Sequence, residues 1–169
     1  VGHVPYSVGI QEATEAGLDE IAHIHSFHQD FFKDFDPANV FDEYPIREDQ
    51  IAKVVAMVKA AGTAVCVTLI VNQTLLDSQD LDSYLERPMM AYDLPWAKPY
   101  MNSNAWYFNK IWPAPYLEQT YLPWLYRLTK ALSDAGVMLV LGTDSGVTGL
   151  VSGFSTQEEL GLLVKAGLS

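Results

Sequence analysis

The chain has four histidines, and all of them fall within its first 28 residues. His3 ends a short predicted strand, and His23 lies near the end of the next one, 20 residues later. Neighbouring parallel strands would place these two imidazoles side by side at the carboxyl edge of a sheet, where α/β folds build their sites. Neutral imidazole is a good ligand for zinc and similar ions, so the pair is a candidate metal site. Two unrelated polar residues at strand ends remain the alternative.

The other two histidines carry weaker signals. His25 alternates in phase with His23, so it can share the same face of the strand and is a candidate for binding substrate. The start of a loop explains His25 equally well. His28 is followed by Gln29, Asp30 and two phenylalanines, a pattern typical of a loop or a helix start, and we expect it on the solvated surface.

Asp144 follows a buried apolar strand, residues 137–141, and precedes the turn sequence Ser145-Gly146. A carboxylate in this position either caps a turn or acts as a general base beside a divalent cation. Such an ion would stabilise its charge and acidify the water whose proton it accepts. The histidines favour the catalytic interpretation, in which Asp144 is both the general base and a metal-associated residue.

A glycine-rich loop runs from Gly146 to Gly153, immediately before a predicted helix. Backbone amides at a helix N-terminus can cradle a phosphate. The loop lacks the Lys-Ser/Thr pair of a P-loop and the GxGxxG spacing of a dinucleotide site. A phosphate-binding α/β enzyme is therefore an alternative function with weak support.

Strand and helix patterns alternate along the chain, which predicts a parallel α/β sheet with right-handed crossovers. The predicted strands are residues 1–4, 18–24, 64–71 and 137–141, and the predicted helices are residues 7–16, 45–61, 121–135 and one that opens with a capping box at Ser155 and Glu158. An open doubly wound sheet and part of a (β/α)8 barrel both satisfy this order. A complete barrel takes about 250 residues, so the 169 residues of this chain suit only part of one.

Residues 72–120 form an aromatic, proline-rich segment that differs from the rest of the chain. All four tryptophans lie in it or just beyond it: Trp96, Trp106, Trp112 and Trp124. A connection of this length is usually functional or contains short helices of its own. We interpret it as an insertion into a single domain over residues 1–169. It would act as a lid over a small-molecule substrate, with Trp96 and Trp106 as candidate contacts.

The composition excludes several classes of partner. Acidic residues outnumber basic ones 21 to 10, and the resulting net charge of -11 disfavours a nucleic-acid partner. No apolar run reaches the roughly 18 residues of a transmembrane helix, so no membrane partner is expected. The single Cys66 excludes an internal disulfide framework. The composition does not separate a cytoplasmic from an exported protein.

Several motifs, taken in order, resemble the second half of the amidohydrolase superfamily barrel, in particular its imidazolonepropionase- and prolidase-like branch. The matching pieces are Gly2-His3-Val4, residues 16–23 (AGLDEIAH), Val67-Thr68-Leu69, residues 141–146 (LGTDSG) and the end of the chain from Glu158. The resemblance implies the C-terminal half, strands five to eight, of a TIM-type barrel. It also implies that His3 and His23 bind the metal and that Asp144 shuttles a proton during hydrolysis of an amide or cyclic amide C–N bond.

The family's remaining ligands, a His-x-His pair on strand one and a strand-four lysine in two-metal members, would precede His3. The chain begins at Val1 without an initiator Met, so we expect a longer protein whose complete form binds one or two divalent ions, with zinc as the expected metal. The rival hypothesis is a non-catalytic half-barrel fragment that needs its N-terminal half. Two unpaired sheet edges would favour its association with other chains, including a homo-oligomer.

Overall fold

The computed structural model describes residues 1–103 and 111–169, and it shows a mixed α/β fold around a small parallel sheet. The strands are β1 (Glu20–Ala22), β2 (Ala64–Cys66) and β3 (Leu139–Val140), in the order β1-β2-β3. Ile21 lies opposite Val65, and Val65 lies opposite Leu139. Gly2 adds a further parallel bridge to Ile21. The prediction of a parallel α/β sheet is therefore confirmed, while the half-barrel architecture stays a prediction.

Helices and helical turns connect these strands. The α-helices are α1 (Ile10–Glu15), α2 (His28–Phe31), α3 (Ile51–Ala61), α4 (Leu69–Asp77), α5 (Leu81–Leu85), α6 (Ala97–Met101), α7 (Ala114–Tyr116), α8 (Leu122–Asp134) and α9 (Phe154–Lys165). Short 3-10 turns cover Ile24–Phe27, Glu48–Gln50 and Pro88–Tyr92, and a π-helical turn covers Leu117–Tyr121. In the ranges described, no helix is both long and apolar enough to cross a bilayer.

Helices α3 and α8 follow their sequence patterns closely. Val54, Val55 and Val58 are buried on one face of α3, as their helical spacing predicts. The helix ends at Gly62, whose φ of 69° is a left-handed conformation that glycine adopts at little cost. Because α3 packs against both α1 and α8, their apolar faces contribute to the same core.

The prediction of one strand over residues 64–71 is wrong beyond Cys66. An apolar run of this kind suits a buried strand or a buried helix, and periodicity alone does not separate them. The run is divided at Thr68, which has a left-handed backbone with φ 47°. Leu69 and Ile70 then begin α4, and their backbone N–H groups donate to the carboxylate of Glu159. This distant side chain satisfies donors that the start of a helix leaves free.

The predicted capping box at the last helix is also wrong. α9 begins at Phe154, with Gly153 as its N-cap and no side-chain hydrogen bond to the cap. Ser155 Oγ is buried, and among the described residues it has no hydrogen-bond partner. Glu158 pairs instead with Arg87. Glu158 therefore forms an ion pair with a residue 71 positions away instead of the capping hydrogen bonds that were predicted.

The core is rich in aromatic side chains. Five that are at most 1% exposed are Phe27, Phe31, Phe32, Tyr121 and Trp124. His28 lies among them and is itself only 1% exposed, so the expectation of a solvated His28 is wrong. Its ring stacks on Phe32 with the centroids 4.3 Å apart.

The aromatic segment contains short helices, as expected. α5, α6 and α7 lie within residues 72–120, and α4 enters the segment from Leu69. Tyr84 and Met101 are buried in the common core, so this part of the chain packs against the rest. Its status as an insertion, with a lid function, stays a prediction.

Candidate active site

Three polar residues with a left-handed backbone lie at the carboxyl ends of the three strands. His23 directly follows β1 with φ 66°, Thr68 lies two residues after β2 with φ 47°, and Asp144 lies four residues after β3 with φ 54°. A positive φ is unfavourable for these residue types, and it persists mainly at functional sites where surrounding contacts hold it. Because the strands are parallel, all three strained positions lie at one edge of the sheet.

His3 and His23 lie side by side at this edge, because Gly2 pairs with β1. Their ring centroids are 4.5 Å apart. His23 Nδ1 lies 2.8 Å from Thr68 Oγ1 in a hydrogen bond, and His23 Nε2 lies 4.0 Å from Asp144 Oδ2. His23 is buried, whereas His3 and Asp144 are exposed. The three residues singled out for metal and proton chemistry therefore meet where solvent can reach them.

The buried imidazoles of this edge favour their neutral forms. Burial lowers the pKa of His23, the Asp144 carboxylate opposes that shift, and His3 adds to it. Burial also lowers the pKa of His25 to about 3, with smaller contributions from His23 and His3. His25 stacks on His23 with a centroid distance of 5.0 Å and an interplanar angle of 4°. A neutral His23 whose Nδ1–H donates to Thr68 has a free Nε2 lone pair facing Asp144.

A cavity of about 200 Å³ opens beside these residues. Its lining includes the four histidines and Asp144, together with apolar side chains such as Val71, Leu75 and Trp112. The cavity therefore joins a polar end, where the sheet terminates, to walls that suit an apolar group.

Glu159 anchors the turn that carries Thr68. Its side chain is fully buried, and its carboxylate oxygens accept the backbone N–H groups of Leu69 at 2.9 Å and Ile70 at 2.6 Å. Burial raises the pKa of Glu159 to about 7, although the two hydrogen bonds oppose this shift. Leu69 directly follows Thr68, so Glu159 holds the backbone beside the hydroxyl that contacts His23.

The donor atoms at this edge are of the types that bind a divalent ion, but they are too few to complete its coordination. Neutral imidazole nitrogen and carboxylate oxygen are ordinary zinc ligands, and Thr68 orients His23 as a typical outer partner of a metal-bound histidine does. Within residues 1–103 and 111–169, however, no three His, Cys, Asp or Glu side chains form a group that could hold a metal ion. Any complete metal site therefore requires ligands in addition to His3 and His23.

The remaining predicted site residues fall in different places. His25 lines the cavity. Trp96 is 53% exposed and makes an edge contact with Tyr100, and it is not one of the residues that line the cavity. Trp106 lies outside the described residues. The roles of all three in substrate binding stay predictions.

The glycine-rich loop is held by contacts that disfavour a phosphate. Gly149 N–H donates to Asp93 Oδ2 at 3.1 Å, and Gly149 carbonyl oxygen accepts the Tyr84 hydroxyl at 2.8 Å. The Asp93 carboxylate thus already accepts the hydrogen bond of one backbone N–H group of the loop, and its negative charge would repel a phosphate. The geometry gives the phosphate-binding alternative no support.

Sequence reasoning missed three residues that shape this site: Thr68, His28 and Glu159. Thr68 carried a weak signal, since it is the polar residue within the apolar run over residues 64–71. The other two act through partners far along the chain. His28 bonds Tyr121, 93 residues away, and Glu159 bonds Leu69, 90 residues away.

Comparison with known proteins identifies a related fold. No family model matches the chain, and no curated protein matches it either. A solved structure described as AH, bottromycin amidohydrolase, is similar to it with a TM-score of 0.64 and 23% sequence identity. The match covers 99% of this chain and 36% of that one, so the chain spans about a third of the length of the protein it resembles. At this level of identity, the chain shares the fold of part of an amidohydrolase.

Proposed function

We propose that this chain is part of a metal-dependent hydrolase that cleaves an amide or cyclic amide C–N bond. The observation that carries the proposal is the meeting of His3, His23 and Asp144 at the carboxyl edge of the sheet. The likeness to a protein described as an amidohydrolase supports the same reaction class. His3 and His23 would hold the ion, zinc being the expected metal, together with ligands from outside these 169 residues.

A divalent ion at this position supplies Lewis-acid chemistry, which polarises an amide carbonyl and makes water more acidic. The chain's own residues then have separate tasks. Thr68 orients His23 by bonding its Nδ1. Asp144 accepts a proton from the attacking water and delivers it to the leaving nitrogen. The side chain of Asp144 is 42% exposed, which allows the carboxylate to reach both water and substrate.

The decisive experiment replaces Asp144 in the full-length protein. Asp144→Asn should lower kcat/KM for amide substrates by roughly a hundredfold to ten-thousandfold, the usual contribution of a general base. It should leave bound metal in place, because the imidazoles remain. Turnover is measured on a panel of N-acyl amino acids, dipeptides and cyclic amides, and metal content by elemental analysis.

Asp134→Asn is the matched control, because Asp134 is an exposed carboxylate whose contact is a surface pair with Lys130. Such pairs contribute little to stability, so this variant should retain full activity and metal. Active protein without bound metal would contradict the proposal. So would an Asp144→Asn protein that hydrolyses amides at the native rate.

A further inference from the structure

The carboxylate of Asp144 has no direct hydrogen-bonded support. His23 Nε2 lies 4.0 Å from Asp144 Oδ2, which is beyond hydrogen-bonding distance. Within the part of the chain that the structure describes, no group donates a hydrogen bond to this carboxylate. Its position therefore depends on the backbone of Asp144. That backbone has a left-handed φ of 54°, a conformation that persists where surrounding contacts hold it.

Two hydrogen bonds support this backbone. The side chains on either side of Asp144 bond each other, with Thr143 Oγ1 2.6 Å from Ser145 Oγ. The backbone N–H of Val147 donates to the carbonyl oxygen of Asp144 at 3.1 Å, which closes a turn that starts at Asp144. Because the first bond joins the residues directly before and after Asp144, it restrains the backbone angles of the residue between them.

Thr143 is the fixed partner of this pair. It is buried, whereas Ser145 is exposed. The preceding Gly142 packs so closely on β2 that a Cβ atom there would collide with Cys66 Sγ. The backbone that leads into Asp144 is thus held against the sheet. The hydroxyl of Ser145 connects the backbone that leaves Asp144 to the same point.

Asp144 lines the cavity of the candidate active site, whereas neither Thr143 nor Ser145 does. The two hydroxyls therefore act on a reaction in the cavity through Asp144 rather than by direct contact. We propose that the hydrogen-bonded pair of Thr143 and Ser145 is a clamp that holds the Asp144 carboxylate in place, which makes both of them positioning residues for the general base. The inference rests on the proposed function for the role of Asp144.

A double-mutant cycle in the full-length protein tests whether the two hydroxyls act as one unit. Ser145→Ala and Thr143→Val each remove one hydroxyl and with it the whole bond. Loss of one neutral hydrogen bond shifts an equilibrium between two conformations by roughly two- to tenfold, so kcat should fall by that factor in each variant. KM and bound metal should keep their native values, because His3 and His23 are unchanged. The double variant should be no slower than the slower single variant.

Two further variants serve as controls. Thr143→Ser keeps a hydroxyl at the buried position, so its kcat should stay close to the native value. Ser152→Ala removes an exposed hydroxyl from the following loop and should also keep the native kcat. Single effects that multiply in the double variant would overturn the clamp, as would a Thr143→Ser protein as slow as Thr143→Val. Because Ser145 is exposed, a native kcat in Ser145→Ala overturns the clamp even where Thr143→Val does not fold.

Hydrogen exchange provides a measurement that needs no turnover. The N–H of Val147 is protected by its bond to Asp144, so its exchange rate reports how often this turn opens. Mass spectrometry should show that this rate rises by roughly two- to tenfold in Ser145→Ala and in Thr143→Val, and no further in the double variant. An unchanged exchange rate in both single variants would overturn the clamp.

Exchange and hydrolysis separate this inference from the proposed function. If exchange shows that the two hydroxyls are coupled while amide hydrolysis and bound metal are both absent, the clamp stands and the proposed reaction fails. If amides are hydrolysed with a metal bound while Ser145→Ala keeps the native kcat and exchange rate, the reaction stands and the clamp fails.

Discussion

A single hydroxyl determines how His23 presents its ring. Thr68 Oγ1 bonds His23 Nδ1 at 2.8 Å, and the opposite nitrogen faces Asp144. Partners of this kind fix the tautomer and the direction of a ligating imidazole. Thr68 and His23 both have a positive φ, so each strained backbone supports the same contact. We therefore regard Thr68 as a positioning residue.

Thr68→Val tests this role at the level of one atom. The variant keeps the branched shape and removes the hydroxyl, so His23 loses its partner at Nδ1. Metal affinity and kcat/KM of the full-length protein should each fall by about 10- to 100-fold, as is typical for such partners. Thr68→Ser keeps the hydroxyl, so its metal affinity and kcat/KM should stay close to the native values. Unchanged metal affinity in Thr68→Val would show that the hydrogen bond is structural only.

At the level of elements, Glu159 joins the last helix to the site. It extends from α9 to the first N–H groups of α4, and α4 packs against α9. A carboxylate at a helix N-terminus also interacts favourably with the helix dipole. These contacts offset part of the cost of burying a charge, but the pKa of Glu159 still rises to about 7.

The raised pKa of Glu159 predicts how stability depends on pH. Its ordinary value is 4.5 and its value in the folded protein is about 7, so folding takes up a proton between these pH values. The contribution of Glu159 to the free energy of unfolding should be fully present below pH 4.5 and should decline as the pH rises through 7. The decline amounts to about 3 kcal/mol for a fully buried carboxylate.

Glu159→Gln should abolish this component, which denaturant titrations of both proteins at pH 5 and pH 8 can measure. The histidines, common to both proteins, cancel in the comparison. Glu48→Gln is the control, because Glu48 is an exposed carboxylate paired with Arg127, and it should keep the native pH dependence. A Glu159→Gln protein with the native dependence would contradict the assignment.

The same elements show how far the sequence predicts the structure. The period of α3 and its terminal Gly62 are local signals, and the structure follows them. The residue at which β2 ends cannot be predicted from the neighbouring sequence, because the change to α4 depends on Glu159, 90 residues from Leu69.

The same contrast applies to the residues of the candidate site. His3, His23 and Asp144 could be predicted as neighbours because strand order alone brings them together. His28 could not, because its burial depends on Tyr121 and Trp124.

For the whole molecule, the open edge of the sheet is the most informative feature. Among the described residues, β3 pairs only with β2, which leaves its other edge without a strand. Met138 and Leu141 flank β3 and are 71% and 43% exposed. An unpaired edge with apolar side chains tends to recruit another strand. In a half barrel, a further segment of the same protein would cover this edge.

The half-barrel hypothesis therefore predicts that the 169-residue chain alone self-associates through β3. Replacing both Met138 and Leu141 by Lys should weaken this association by roughly tenfold or more, because lysine protects exposed strand edges. Val164→Lys is the control, since Val164 is 66% exposed but lies on α9. Sedimentation velocity should then show weaker association for the Met138/Leu141 variant than for the Val164 variant. A stable monomer of the unsubstituted chain would contradict the hypothesis, because a closed fold has no edge that needs a partner.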